Sequence, residues 1–396
     1  MDDSTRERRR SGRARASLKC AVCVTCQLNE HKATETAQLN TPLPWPGPNR
    51  RRRRGGFVYA VVLDDKEGSL VFRFRRKDLF SDDDPPPAPR RFPRPVAHFP
   101  RGYYYVFPSS TVCGKQILGV SPFGATVVVD DGGPGCSAMR AGPELGTTMC
   151  QPILLPVGDD MVLAMADQAQ PGRSNFAVMR RLPGGGWHVV PVPEPPLGGP
   201  GDYCRKPAPL VTAYMTIGRR AWVSIAGEGA FSLDAGSGGG AAAWRKEGSW
   251  ELPLHGQAMY VRELGVAIGL GRGPGPYGGV VLCLCACDVE ARPPVIRRSW
   301  SETFPRELVD VHSPDDYPGN LVYVGDGRFC ISWVIGVHHD RPKTNGMPAR
   351  TAVVTMAVRL RRSAVGELQL TERGKLRYHL MSPHGRRVYF VQPHIP

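Results

Sequence analysis

From Phe57 onward the chain alternates short apolar runs with turn residues, and the lengths of those runs are those of strands. Residues 57–63 (FVYAVVL), an Asp64-Asp65 turn and residues 69–75 (SLVFRFR) predict a hairpin, because the second run alternates apolar and basic side chains. After Leu79-Phe80, an acidic, Pro-dense insert over 81–95 reads as a solvent loop. Further strands are predicted at 103–107, 116–120, 125–130, 151–157, 161–165, 176–181, 187–192, 210–217, 221–225, 230–234, 257–262, 265–270, 279–285, 320–324, 328–335 and 351–360. Alternating residues 367–369, 376–380 and 387–391 complete the last sheet. The runs follow one another every 8 to 14 residues or so, as in meandering antiparallel sheets, and no helical period is sustained.

One stretch specifies more than a generic β fold. Phe231-Ser232-Leu233-Asp234, a Gly/Ala-rich gap, and Trp244 running through Gly248 and Trp250 into Leu252-Pro253-Leu254 read as a strand ending in Asp, a turn and a returning strand. Residues 119–130 (GVSPFGATVVVD) and 222–234 (WVSIAGEGAFSLD) share a Val-Ser, a Gly, a second apolar strand and a closing Asp. Asp234 follows Asp130 by 104 residues, or two units of about 52, close to the length of a kelch blade. Trp187, followed by Val189-Val190-Pro191, resembles Trp250-Glu251-Leu252-Pro253 as a strand closing on Pro. The expectation is an all-β fold: a β-propeller of about six blades over 57–396, with a pair of β-sandwiches as the alternative.

Composition supports many short strands. Gly 46 and Pro 39 exceed a fifth of the 396 residues while the hydrophobic share stays at 41%, which fits turn punctuation around a real core. The net charge of +15 suggests a nucleic-acid partner until it is located: residues 1–56 hold thirteen Lys/Arg against five Asp/Glu. That segment, with Pro42, Pro44, Pro46 and Pro48, reads as a disordered basic leader, and nucleic acid is expected to bind only through it, if at all. Its Arg8-Arg9-Arg10 and Arg50–Arg54 groups also have the composition of nuclear import signals. No run of 18 apolar residues exists and no secretory signal is read, so the eleven Cys are expected as reduced thiols in the cytoplasm or nucleus.

Residues 231–270, from F-S-L-D through W-R-K-E-G-S-W-E-L-P-L-H-G-Q-A-M-Y-V-R-E-L-G-V-A-I-G-L, resemble a grass-expanded plant family, domain of unknown function family 1668. The opening FVYAVVLDDKEGSLVFRF and the segment from Cys113-Gly114-Lys115-Gln116-Ile117 to Asp130 are similar to it too, so the likeness covers roughly 57–390. It implies a kelch- or propeller-like fold and supplies no reaction, ligand or catalytic residue. The leader, with its three Cys, falls outside it.

Candidate chemistry is sparse. Cys20, Cys23, Cys26 and His31 are the one metal-like cluster, but all four lie within twelve residues and lack a second ligand knuckle, so free thiols are expected. Cys283, Cys285 and Cys287 share one face of a strand. Neighbours there stand about 7 Å apart, too far for an undistorted disulfide, so the expectation is free, buried, core-filling Cys. His338-His339-Asp340 reads as a polar loop, and His188 and His255 lack partners at catalytic spacing. The Gly-rich stretches 236–240 and 269–273 precede no helix and read as hairpin connections rather than phosphate loops. Trp187, Trp222, Trp244, Trp250, Trp300 and Trp333 are expected to pack between blades. Asp130 and Asp234, at strand ends, suit turns or an acidic site.

These readings favour a non-enzymatic scaffold that binds an unidentified protein partner through loops on one face, with 81–95, 193–209 and 340–350 shaping the surface. No catalytic, cofactor or metal residue is assigned, no cofactor is expected and no membrane is implied. The competing class is an enzyme with converging carboxylates or His in the propeller channel.

Overall fold

Why the runs are apolar at nearly every position, rather than at every second one, is answered by where their two faces go. The computed structural model describes residues 57–64, 67–80, 90–100, 109–113, 116–130, 139–149, 152–168, 174–197, 209–234, 243–274, 280–301, 319–337, 350–374, 376–380 and 385–391. The chain divides into two units, Met1–Arg52 and Arg53–Pro396, and all described residues lie in the second. The basic leader, its Cys20, Cys23, Cys26 and His31, the predicted strand 103–107, the Gly-rich stretch 236–240 and His338-His339-Asp340 lie outside the described residues.

The described residues form several antiparallel sheets and one helix, the five-residue Arg76–Phe80. Six meanders follow one another along the chain. The first comprises Phe57–Asp64, Gly68–Arg75 and Ala97–Pro100, with Gly385–Val391 added antiparallel to the free side of Phe57–Asp64. The second comprises Ser109–Cys113, Gln116–Val120, Thr126–Asp130 and Met139–Ala141. Ile153–Pro156, Met161–Met165, Phe176–Arg181 and Trp187–Pro191 form the third. The fourth (Val211–Ile217, Arg220–Ile225, Gly229–Asp234, Ala243–Gly248) and the fifth (His255–Val261, Val266–Pro274, Val280–Asp288, Val295–Trp300) join through their first strands in one eight-stranded sheet. That join is parallel, Ala213 opposite Gly256 and Tyr214 opposite Gln257. The sixth comprises Asn320–Gly325, Arg328–Val337, Arg350–Arg362 and Arg377–Leu380, with Leu368–Arg373 also on Arg350–Arg362 and Arg90–Arg91 on its edge. Its first hairpin turns on Asp326-Gly327, both at positive φ, as a two-residue turn matched to strand twist requires.

Each meander is buried on both faces. In Met161–Met165, Met161, Leu163 and Met165 pack toward Phe176, Val223 and Phe231, while Val162 and Ala164 pack toward Leu118 and Val128. Such two-sided burial produces a continuous apolar run. The same division places one apolar cluster between each pair of successive meanders. Tyr59, Val61 and Phe99 meet Ile117 and Val129 between the first and second. Leu118 and Val128 meet Val162 and Trp187 between the second and third, and Leu163 and Phe176 meet Val223 and Phe231 between the third and fourth. Met215 and Trp222 meet Ala258 and Cys285 between the fourth and fifth, and Ile268 and Leu284 meet Phe329 and Met356 between the fifth and sixth. Val58, Ala60 and Phe72 then meet Val322, Cys330 and Val353, so the order of packing returns from the sixth meander to the first.

Most predicted strands stand within a few residues of their expected bounds, and Phe231–Asp234 pairs with the Trp244 strand, Leu233 opposite Trp244. The matched segments 119–130 and 222–234 occupy equivalent places, ending in the third strands of the second and fourth meanders. Two readings need correction. Residues 269–273 are not a hairpin connection but lie inside Val266–Pro274, where Gly269 fits against Leu254 and Ala258. Trp187 corresponds to Trp244, since each opens or nearly opens a fourth strand, whereas Trp250 lies beyond one. Arg90–Arg91, inside the segment 81–95 read as a loop, and Ala97–Pro100, Ser109–Cys113, Met139–Ala141 and Val295–Trp300 went unpredicted; the last two are largely exposed edge strands that carry polar or basic residues. Among the described residues no helix is long and apolar enough to cross a membrane.

Two substitutions separate core filling from polar cost. Phe231, fully buried between the third and fourth meanders, is expected to cost about 3–5 kcal/mol as Phe231→Ala. Ser332 and Thr355 stand opposite each other, and among the described residues their buried hydroxyls have no hydrogen-bond partner. Thr355→Val is therefore expected to raise stability by about 1 kcal/mol. Urea unfolding midpoints check both, and a destabilised Thr355→Val would reverse the second assignment.

Candidate functional site

The join between the fourth and fifth meanders holds a cleft of about 400 Å³. Its walls are the hairpin end Ile217, Arg219, Arg220 and Trp222, the strand end Asp234, Tyr260 from the fifth meander's first strand, and the turn Val289, Glu290 and Arg292. These positions meet because the parallel pairing sets the first strands of the two meanders side by side, so that adjacent hairpin ends face one another. Gly218, at positive φ, makes the tight turn that presents Arg219 and Arg220.

The cationic walls are held by specific partners. Arg219 donates both terminal nitrogens to the Asp160 carboxylate of the third meander, at 3.2 and 3.1 Å. The hydrogen bonds and charge of Asp160 raise the Arg219 pKa above its ordinary value. Arg220 reaches Asp234 at 3.3 Å across the ladder. Arg292 lies over the Trp222 ring at 5.2 Å and the Trp250 ring at 5.8 Å, and it donates to the carbonyls of Val289 and Ala291. Gly248 allows this, since a Cβ there would collide with the Trp250 indole.

Beneath Arg292 sits Glu247, whose side chain is 1% exposed. It accepts hydrogen bonds from the Ser232 hydroxyl at 2.6 Å and Arg245 at 2.8 Å, with Arg292 3.9 Å away. Burial pushes its pKa up, but the Ser232 and Arg245 hydrogen bonds and the charges of Arg245 and Arg292 outweigh burial and hold it below the ordinary Glu value. The arrangement joins the outer strand of the fourth meander to the last turn of the fifth.

The strand-end acids do not converge. Asp130 accepts from the Gln116 amide at 2.6 Å, and Gln116 in turn accepts the Trp187 indole N–H at 2.8 Å, so this acid helps orient an indole between the second and third meanders. Asp234 borders the cleft two meanders away. Trp187, Trp222 and Trp300 are buried between meanders, and Trp244 and Trp250 are half-buried against the same clusters, as expected. The Trp244 indole donates to the Pro193 carbonyl of the third meander at 2.8 Å. The Trp333 side chain lies outside the described residues. His188 is half-buried and His255 sits in the fifth meander's first strand; neither enters the cleft.

Cys113, Cys283, Cys285, Cys287 and Cys330 are free and buried. Burial pushes the Cys113, Cys287 and Cys330 thiols up to about 12. Cys283 and Cys285 differ: their sulfurs approach to 3.4 Å, much closer than the backbone spacing suggests, because the side chains lean together. The hydrogen bond between them lowers the Cys283 pKa and raises that of Cys285. Among the described residues no group of three His, Cys, Asp or Glu is placed to hold a metal.

Arg219, Arg220, Glu247, Tyr260 and Arg292 were not singled out from sequence. The one local signal is the tight Gly218 turn, which predicts that Arg219 and Arg220 are displayed but not what they face.

The comparisons with known proteins leave function open. A family model described as "Protein of unknown function (DUF1668)" matches residues 55–378. No curated protein matches the chain. A solved structure described as a "putative 6-phosphogluconolactonase" from Bacteroides uniformis is similar at 12% identity over 85% of this chain and 100% of that one, with a TM-score of 0.44. At that level it carries no argument.

The Glu247 cluster predicts an acid-sensitive join. A carboxyl with a lowered folded pKa adds stability above its unfolded pKa, and that stability is lost as pH falls through the folded value. Glu247→Gln is expected to lower stability at pH 7 by about 1–3 kcal/mol and to flatten the loss below the ordinary Glu range. Urea titrations at several pH values check this, and an unchanged acid slope would refute it.

Proposed function

The chain belongs to the DUF1668 family, and we propose that it is a six-bladed β-propeller acting as a non-enzymatic protein-binding scaffold. The observation that carries the fold is the cyclic order of the six apolar clusters, in which each meander is a blade packed on two neighbours. Gly385–Val391 completes the first blade with a strand from the far end of the chain, which fastens the ring. First strands touch in sequence around the stack, Ser109–Cys113 with Ile153–Pro156, then Val211–Ile217, His255–Val261 and Asn320–Gly325, and the last of these touches Gly385–Val391. Such contacts suit strands that line a common axis.

The binding reading rests on the cleft between the fourth and fifth blades. Arg219, Arg220, Arg292, Trp222 and Tyr260 line it, and Arg, Trp and Tyr are the residue types that dominate the energetics of protein interfaces. Their charges are matched by Asp160, Asp234 and Glu247. An acid or base poised for proton transfer needs a perturbed pKa near working pH, and the shifts around this cleft lock charges in place instead. This favours recognition over the competing enzyme reading. Free buried cysteines suit a reducing compartment, cytoplasm or nucleus, as the place where the partner is met.

Two experiments test the two parts. A chain ending at residue 384 lacks the fastening strand and is expected to lose the single cooperative unfolding transition; an unchanged transition would end the propeller reading. Affinity purification with the full chain, followed by mass spectrometry and titration of the recovered partner, tests the scaffold. Arg219→Ala combined with Tyr260→Ala is expected to weaken that partner about tenfold or more at unchanged fold. Recovery of no partner, or equal affinity of the variant, would count against it.

A further inference from the structure

Buried cysteines usually behave as small apolar side chains, far apart and inert. The pair in Val280–Asp288 departs from this in three ways. First, the Cys283 and Cys285 sulfurs stand 3.4 Å apart. Second, the neighbouring strand carries glycine beside the pair: Gly271 is opposite Cys283, and a Cβ on Gly271 would stand only 2.6 Å from the Cys285 sulfur. A glycine there leaves the slot into which that thiol leans. Third, among the described residues, the other hydrogen bonds of these sulfurs go to backbone carbonyls, Gly271 at 3.6 Å from Cys283 and Cys283 at 3.7 Å from Cys285, and no carboxylate or imidazole holds them.

We propose that Cys283 and Cys285 form a peroxide-reactive dithiol that closes reversibly into a disulfide within one strand. Each residue is 3% exposed, so the oxidant is a small hydroperoxide such as hydrogen peroxide. The Cys283 sulfur, whose acidity the Cys285 thiol increases by donating a hydrogen bond, attacks the peroxide oxygen as thiolate. The O–O bond breaks, Cys283 becomes a sulfenic acid, and hydroxide leaves and takes the proton given up by Cys283 to form water. The Cys285 sulfur then displaces hydroxide from the sulfenic sulfur, the S–S bond forms, and the Cys285 proton leaves with that hydroxide as a second water. Two thiols are oxidised by two electrons and one peroxide is reduced to two waters. Closure must bring the sulfurs from 3.4 Å to roughly 2.05 Å. Successive same-face positions on a strand are separated by about 6.6 Å, more than the roughly 4 Å between the Cβ atoms of a disulfide, so closure also draws the two residues together by bending the strand locally. A thiol reductant returns the pair to its open form by exchange.

The test uses the full chain, folded, treated with hydrogen peroxide, then unfolded in urea, alkylated and digested with trypsin. Peptide 273–297 holds Cys283, Cys285 and Cys287 and no other cysteine. The expected product carries one alkyl group, on Cys287, and a mass about 2 Da below that of the reduced form with the same single label, restored by dithiothreitol. Loss of alkylation at Cys283 and Cys285 should run at least about tenfold faster than at Cys113, Cys287 or Cys330. Cys283→Ser and Cys285→Ser should each abolish the product and Cys287→Ser should preserve it, with circular dichroism confirming that each variant is folded. Three alkylated thiols in that peptide, after a dose that oxidises the urea-unfolded chain, would overturn the proposal. So would a disulfide to Cys287, or sulfinic acid at Cys283 with Cys285 still free.

Discussion

A sheet that is apolar on both faces must be covered twice. This constraint governs the molecule, because a strand such as Met161–Met165 has no side chain suited to water on either side. A linear pile of such sheets would leave two apolar faces exposed at its ends, an area that drives association. Here the faces that would be terminal, Val58, Ala60 and Phe72 on the first meander and Val322, Cys330 and Val353 on the sixth, cover one another. The Gly385–Val391 strand ties the two ends of the folded unit to the same sheet. Covering every face therefore requires the chain's ends to meet. The proposed ring is the arrangement that satisfies this with sheets of about four strands.

The same constraint explains what could be read from the sequence. Most strands inside the stack are written as unbroken apolar runs, and these were legible to within a few residues; Ser109–Cys113, with two Ser and a Thr among its five residues, was not. Edge strands cover only one neighbour or none, so Met139–Ala141 and Val295–Trp300 are composed of residues that equally suit loops. The repeat between 119–130 and 222–234 was legible because both segments end in the third strand of a meander and meet the same packing demands on each side. Glycine was the misleading residue. Runs containing Gly269, Gly271 and Gly273 look like turns, whereas inside Val266–Pro274 at least two of them answer to close neighbours, Leu254 and Ala258 at one and the Cys285 sulfur at the other.

The site was hardly legible, for a topological reason. Arg219 finds its carboxylate partner at Asp160, and Arg292 stacks on Trp222 and Trp250. Local pattern does not encode which hairpin ends will be neighbours; that follows only once the order of sheets is known. Asp130 shows the reverse. It looked like a strand-end acid of either turn or catalytic type, and its place in the hydrogen-bonded series with Gln116 and Trp187 gives it a packing role that composition alone could not assign.

The join between the fourth and fifth meanders has backbone hydrogen bonds of a parallel ladder, between Val211–Ile217 and His255–Val261, as well as apolar packing. A side chain anchored there moves little. Arg292 is fixed by two indole faces, two carbonyls and the charge of Glu247, so much of the ordering that a long guanidinium side chain normally undergoes on binding has already occurred. Affinity at such a surface depends less on the area covered than on how little remains to be ordered. On this reasoning the cleft is a better candidate for recognition than the exposed outer strands, which carry more charge but hold it on side chains with fewer restraints. The same cluster that backs the cleft, through Trp222 and Val289, also contains Cys283 and Cys285. A change of covalent state at the dithiol would thus act on the packing that keeps the cleft's walls in place.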